Sequence, residues 1–212
     1  MATQDRFTTA ISQNKAWAAK IAKEHPDLFR KLAAGQQPEI LWIGCSDSRC
    51  PETTLLGLHP GDVFVHRNIA NILQPSDLSS CAVIEYAVRH LGVKHVVVCG
   101  HTNCGGVAAA MGNKQLGILD PWLLPLRQLR KRNVDRLQSL PADKAALKLV
   151  ELNVLAGVTT LRQKDVVLEA MHKGLKVHGL IFDVASGVLR ELDTSESDGV
   201  VSKCLTDFQT EV

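Results

Sequence analysis

Several features that mark whole classes of protein are missing from this chain of 212 residues. No stretch approaches the roughly 18 consecutive apolar residues that a transmembrane helix needs. The first residues contain no apolar run of signal-peptide length, and Asp5 and Glu24 argue against an acid-poor transit peptide. We therefore expect a cytoplasmic protein that does not bind a membrane.

A strong excess of charge of one sign is also missing. The formal net charge is only +2 at pH 7. The one basic run, at positions 127–132, is interleaved with leucine at helical spacing, which is typical of a solvated helix face. An interface or an anion-binding role is the alternative for this run. Because the net charge lacks the basic excess that is typical of nucleic-acid-binding proteins, no nucleic-acid partner is expected.

Cysteines are too few for a disulfide scaffold. The chain has six, without a regular framework spacing, so reduced thiols are the simpler interpretation. With 45% hydrophobic and 22% charged residues, the chain can bury one good core. Two cysteines are singled out below, and the other four are interpreted as core or surface residues: Cys50, Cys81, Cys99 and Cys204.

Helical and strand patterns alternate along the chain. This alternation predicts an α/β fold, with a mostly parallel central sheet flanked by helices, an N-terminal helical arm and a C-terminal antiparallel edge strand. We expect one domain, with the arm at 1–34, the core at 35–193 and a tail at 194–212. The predicted strands are 40–44, 63–65, 95–100, 176–184 and 188–192, and the predicted helices are 6–34 (broken at 25–26), 51–58, 76–91, 104–111, 122–140 and 143–172. Ser76 or Asp77 can cap the helix at 76–91.

Two of the predicted strands end on soft metal ligands. Strand 40–44 runs into Cys45, and strand 95–100 runs into His101, with Cys104 three residues later. The carboxyl ends of parallel strands form sites where the chain order reverses, so these ligands can meet. Two thiolates and an imidazole suit Zn²⁺, and three protein ligands leave one position for water or substrate. The alternative is that both cysteines are ordinary buried residues.

The two ligand segments together carry a family resemblance. Residues 45–49 read CSDSR and residues 101–106 read HTNCGG, and the chain resembles β-class carbonic anhydrases from the N-terminal helix to about Asp193. The resemblance implies reversible hydration of CO₂ to bicarbonate and a proton by zinc-bound hydroxide, with one Zn²⁺ per subunit. It also implies a homodimer or homotetramer in which the helical arm packs on a neighbouring subunit.

The resemblance further assigns Asp47 and Arg49 to catalysis. When Arg49 holds the carboxylate of Asp47, the zinc can bind water and lower the pKa of that water to about 7. When Asp47 instead becomes a fourth ligand, the site is closed. The pair would therefore orient the reaction and gate the metal.

Substrate contacts are carried over by matched position. Gln36 would donate a hydrogen bond to a substrate oxygen, and the Gly106 amide could face the substrate. Phe64, Ile69 and Tyr86 would form the wall of the pocket, partly from the partner subunit. Core packing is the alternative for these three apolar side chains.

Some family members carry an inhibitory bicarbonate site built from a tryptophan, an arginine and a tyrosine. Trp42 and Arg67 match the first two positions, whereas the tyrosine position is Phe182, which has no hydroxyl. Trp42 as strand core and Arg67 as a structural ion-pair partner are the alternatives.

Two other functions remain open at this point. One is a hydrolase on the same scaffold that acts on a relative of CO₂ such as carbon disulfide. The other is a non-catalytic zinc protein that Asp47 closes permanently. The presence of Arg49 two residues after Asp47 argues against the second, because a closed structural site does not need the arginine.

Overall fold

A computed structural model describes residues 5–195. Its contacts divide the chain into two units, Met1–Gln37 and Pro38–Val212. The first unit contains helix α1 (Arg6–Glu24) and helix α2 (Leu28–Ala34). The Asp5 side chain caps α1 by accepting a hydrogen bond from the Thr8 amide. Neither helix contains a buried residue, so the predicted helical arm leaves its apolar side chains largely uncovered.

The second unit is built on a five-stranded sheet. Its strands are β1 (Ile40–Cys45), β2 (Val63–Asn68), β3 (His95–His101), β4 (Lys176–Asp183) and β5 (Val188–Glu191). The spatial order is β2-β1-β3-β4-β5; the first four strands are parallel, and β5 pairs antiparallel with β4. The predicted fold class is therefore confirmed. The chain passes from β1 to β2 on one side of β1 and then crosses to β3 on its other side. The strand order therefore reverses at β1.

Seven α-helices within residues 38–195 connect and flank these strands. Helix α8 packs against β3 and β4 at very short range, because a Cβ at Gly100 would lie only 2.7 Å from a Val150 methyl. None of the helices within residues 5–195 has the length and apolarity of a membrane span. The helices are α3 (Glu52–Leu56), α4 (Leu78–Glu85), α5 (Gly105–Met111), α6 (Leu119–Arg132), α7 (Val134–Gln138), α8 (Ala142–Arg162) and α9 (Asp165–Met171).

Three of the predicted helices differ from the observed ones. The pattern at 122–140 is divided at Asn133, whose side-chain amide donates to the Leu129 carbonyl and competes with the helical backbone. The pattern at 143–172 is divided at 163–164, because Lys164 adopts an extended backbone. The third begins at the predicted cap, Asp77, but continues beyond α4 as a π-helical stretch, Tyr86–Leu91.

Candidate metal centre

The three predicted metal ligands meet at the carboxyl edge of the sheet. Cys45 is the last residue of β1, His101 is the last residue of β3, and Cys104 directly precedes α5. One ligand atom from each lies within 4.8 Å of the other two, and the two sulfurs are 4.0 Å apart. All three residues are buried. The site thus lies where the strand order reverses, which is the usual position for a site in such sheets.

The protonation of His101 favours a cation at this point. Its Nδ1 is 2.9 Å from the Thr102 carbonyl, which can only accept, so in the neutral ring Nδ1 carries the proton and Nε2 has a free lone pair. Nε2 is buried and has no hydrogen-bond partner among the described residues. Such an atom costs free energy unless a ligand satisfies it. A cation between this nitrogen and the two sulfurs would do so, and the donor set fits zinc.

The two thiols titrate together because they share one small site. The hydrogen bond with Cys104 lowers the pKa of Cys45, against the opposing effect of burial. The same contact, together with burial, raises the pKa of Cys104. The pair therefore readily supplies one thiolate, and a bound cation would stabilise the second.

Asp47 lies next to the ligands and is held by Arg49. The Arg49 guanidinium forms two hydrogen bonds with the carboxylate, Nε to Oδ1 at 2.9 Å and Nη2 to Oδ2 at 2.7 Å. Its Nη2 also donates to the Asn103 carbonyl at 3.1 Å. The hydrogen bond from Arg49 holds the pKa of the Asp47 carboxyl well below its usual range, so the group is ionised at neutral pH. Asp47 Oδ2 is 3.9 Å from His101 Nε2.

Arg67 fixes the backbone that carries Cys45 and Asp47. Its Nε donates to the Cys45 carbonyl at 2.9 Å, and its Nη2 donates to the Asp47 carbonyl at 2.6 Å. Its Nη1 is 3.7 Å from a Glu52 carboxylate oxygen. The sequence alone indicated only bicarbonate binding or an ion pair for Arg67. The β1–β2 register, which pairs Gly44 with Arg67, is what brings the guanidinium to this loop.

The backbone of Ala70 is a second feature that the sequence analysis missed. The Ala70 amide donates a hydrogen bond to Cys45 Sγ at 3.3 Å. Ala70 belongs to a short 3₁₀ turn, Ile69–Asn71, and has a positive φ of 62°. Alanine carries no sequence signal for that conformation, so no local pattern could have identified this contact.

Four of the predicted substrate residues form two contacting pairs. A side chain at Gly106 would collide with Ile69 and Ala70, which places Gly106 and Ile69 in contact. The rings of Phe64 and Tyr86 stack with centroids 5.7 Å apart, and Tyr86 remains 47% exposed. Gln36 belongs to the first unit, Met1–Gln37.

Trp42 and Phe182 belong to a buried apolar cluster on the sheet. Their neighbours in it include Cys50, Val97 and Cys99. Phe182 is 4% exposed and lies opposite His101 in the β3–β4 register. Burial raises the pKa of the Cys50 thiol to about 11, so this thiol stays protonated at neutral pH. The surroundings of Phe182 are therefore apolar.

Comparison with known proteins agrees with this geometry. Residues 40–189 match a protein-family model described as carbonic anhydrase. A carbonic anhydrase of Emericella nidulans is 48% identical over 86% of this chain and 82% of its own length. The crystal structure of the β-carbonic anhydrase CafA of Aspergillus fumigatus matches with a TM-score of 0.92 and 65% identity, over 98% of this chain and 100% of that chain. One of two tetrameric β-carbonic anhydrases of Sordaria macrospora matches with a TM-score of 0.87 and 50% identity, over 90% and 98% of the two chains.

Replacing Arg67 tests whether it supports the ligand loop. Arg67→Met would leave the carbonyls of Cys45 and Asp47 without their charged donor. We expect the free energy of unfolding to fall by about 3 kcal/mol, since a hydrogen bond from a charged group contributes roughly 1.5–3 kcal/mol. Urea unfolding of the metal-loaded protein measures this. The control Arg190→Met removes an exposed contact with Glu151 and should cost at most about 1 kcal/mol. Equal losses in the two variants would contradict a specific role for Arg67.

Proposed function

The chain belongs to the β-class of the carbonic anhydrase family, and we propose that Cys45, His101 and Cys104 hold its catalytic zinc ion. It catalyses the reversible hydration of CO₂ to bicarbonate and a proton. The observation that carries the zinc assignment is the buried, unpartnered Nε2 of His101, which faces two cysteine sulfurs. When bound, zinc lowers the pKa of a coordinated water to about 7 and so supplies a nucleophile near neutral pH.

Asp47 would orient the reacting oxygen. Because Arg49 keeps its carboxylate ionised, Asp47 Oδ2 is a hydrogen-bond acceptor at every pH at which the enzyme would be assayed. Its position 3.9 Å from His101 Nε2 puts that acceptor beside the ligand atoms. An acceptor at this point can hold the hydroxyl hydrogen of the nucleophile and thereby direct a lone pair toward the carbon of CO₂.

Arg49 would keep the fourth ligand position free. Its paired hydrogen bonds hold Asp47, and its bond to the Asn103 carbonyl anchors the guanidinium to the loop that leads to Cys104. This arrangement argues against a metal closed permanently by Asp47. The comparisons name carbonic anhydrases, so a hydrolase of carbon disulfide is not favoured either.

The substrate contacts are proposals on the same footing. Ile69 and Gly106 touch each other beside Ala70, which binds Cys45, so they are placed to contact a small apolar molecule near the ligands. For Phe64, Tyr86 and Gln36 the proposed contacts rest on matched position.

We also propose that the chain assembles as a homodimer or homotetramer. Two observations support this. The helix α1 leaves Phe7 and Ile11 72% and 61% exposed, and the similar Sordaria macrospora enzymes are tetrameric. Large apolar side chains exposed together on one helix favour association with a second copy of the chain.

Removing any one zinc ligand should remove the metal and the activity together. We expect Cys45→Ala, His101→Ala and Cys104→Ala to reduce zinc from about one ion per chain to near zero. A site with only three protein ligands cannot lose one of them without a large loss of zinc affinity. Inductively coupled plasma mass spectrometry and stopped-flow CO₂ hydration measure the two effects. The control Cys81→Ala changes a half-buried cysteine outside the ligand set and should keep both zinc and activity. Full zinc occupancy in Cys104→Ala would overturn the assignment.

Variants of Asp47 and Arg49 should separate metal binding from turnover. Asp47→Ala should keep zinc because all three ligands remain, yet lower the hydration rate by about 10²-fold through loss of the oriented acceptor. Arg49→Ala should also keep zinc and lose activity, because the released Asp47 can become the fourth ligand. The control Arg30→Ala breaks an exposed pair with Asp27 of similar length. Wild-type hydration rates in both Asp47→Ala and Arg49→Ala would rule out the gating role.

The regulatory proposal for Trp42 and Arg67 is tested at Phe182. If these residues border a bicarbonate site, the missing hydroxyl makes bicarbonate a weak non-competitive inhibitor of the wild-type enzyme. Phe182→Tyr should then strengthen inhibition by about five- to tenfold, since one hydrogen bond contributes about 1 kcal/mol. Hydration kinetics at fixed pH and varied bicarbonate provide the measurement. Unchanged inhibition in Phe182→Tyr would mean that the three positions do not form such a site.

A further inference from the structure

The turn Ile69–Asn71 holds a non-glycine residue in a left-handed conformation next to the metal ligands. Ala70 has φ 62° and ψ 26° and is completely buried. A left-handed conformation costs an L-residue about 1–2 kcal/mol. Surrounding contacts must therefore impose it, and such imposed conformations cluster at functional sites.

The consequence of this conformation is a hydrogen bond to a ligand atom. It points the amide N–H of the Ile69–Ala70 peptide at Cys45 Sγ, at a distance of 3.3 Å. A backbone donor to a thiolate withdraws negative charge from the sulfur, so it changes what that ligand offers to a cation.

Two side chains from separate helices bind the carbonyls of Ile69 and Ala70. Trp122 on α6 donates from its indole Nε1 to the Ile69 carbonyl at 2.9 Å, which is the carbonyl of the same peptide unit. Asn153 on α8 donates from Nδ2 to the Ala70 carbonyl at 2.8 Å, and Asn153 is only 5% exposed. The carbonyls on both sides of Ala70 are therefore fixed.

The other contacts of the turn do not replace these two. Asn68 links the two residues that flank the turn, since its side chain bonds to the amide and the carbonyl of Ile72, and it also bonds to the His66 ring. Gly106 packs directly against Ala70, because a Cβ at Gly106 would lie 2.9 Å from the Ala70 Cβ. This packing limits how far Ala70 can move but does not orient the peptide plane.

We propose that Trp122 and Asn153 are positioning residues that aim the Ile69–Ala70 amide at Cys45 and so tune the charge of this metal ligand. Accepting a hydrogen bond at its carbonyl polarises a peptide and makes its N–H a stronger donor, so the Trp122 contact acts directly on the bond to sulfur. The Asn153 contact, at the Ala70 carbonyl, keeps Ala70 in its left-handed conformation. The inference rests on the proposed zinc site and adds two residues that lie outside the ligand motifs.

The test uses Trp122→Phe, which keeps an aromatic ring, and Asn153→Leu, which keeps the approximate volume but cannot donate. Zinc affinity is measured by competition with a chromophoric chelator. Each variant should bind zinc about tenfold more weakly, because Cys45 is no longer held in its binding orientation; loss of such an outer contact usually costs about 10–100-fold. In cobalt-substituted protein the thiolate-to-cobalt charge-transfer band should shift. The acidic limb of the pH–rate profile should move to higher pH, because a more negative Cys45 makes the site less electrophilic.

The matched control is Ser80→Ala. Ser80 is 1% exposed and donates to the Asp77 carbonyl away from the ligands, so its loss should lower stability without changing zinc affinity, the cobalt band or the pH profile. If Asn153→Leu does not fold, Trp122→Phe at its half-buried position carries the test. Variants that lose only stability, as Ser80→Ala does, would overturn the inference and leave the zinc site intact. A wild-type protein without a cobalt–thiolate band would instead overturn the proposed zinc site itself.

Discussion

Convergence of β1 and β3 at one edge of the sheet is the constraint on which the site depends. The register pairs Gly44 with Cys99, so β3 extends past the level of Cys45 and ends at His101. Asn103 then turns the chain with a positive φ of 56°. Cys104, the residue directly before α5, thereby lies next to Cys45 and His101. Two sulfurs and one nitrogen are brought within 4.8 Å in this way. Because Cys45 and His101 end two buried strands, the packing of the sheet positions these two residues.

Several groups around the predicted ligands compensate the negative charge that is concentrated there. Two cysteine sulfurs and the Asp47 carboxylate lie close together, and neighbouring groups donate hydrogen bonds to Cys45 Sγ and to the carboxylate. Arg49 compensates Asp47, Arg67 binds the carbonyls of Cys45 and Asp47, and the Ala70 amide binds Cys45 Sγ. A divalent cation would balance the two thiolates. This division would let the Asp47 carboxylate remain unbound to the proposed metal, which is the condition for an open fourth position.

The sequence was sufficient to predict that Cys45, His101 and Cys104 come together, because each follows a strongly patterned strand and the fold brings the strand ends together. Patterns also predicted the Asp77 cap, whose carboxylate binds the Ser79 and Ser80 amides. They failed at Asn133 and at 163–164, where helical periodicity continues across a break that local hydrogen bonding creates. They could not reveal the contacts of Arg67 or the conformation of Ala70, because strand register and distant side chains on α6 and α8 determine these. Tertiary contacts of this kind leave no local signal.

X-ray absorption at the zinc K edge tests the central claim most directly, because it counts the ligand atoms around the metal. For the purified, zinc-loaded enzyme at mildly alkaline pH, two sulfur atoms at about 2.3 Å and two nitrogen or oxygen atoms at about 2.0–2.1 Å are expected. That shell corresponds to Cys45, Cys104, His101 and one exchangeable oxygen. A Cys45→Ser protein that still binds zinc should show one sulfur fewer. A shell with no sulfur, or with three or more sulfurs, would contradict the account.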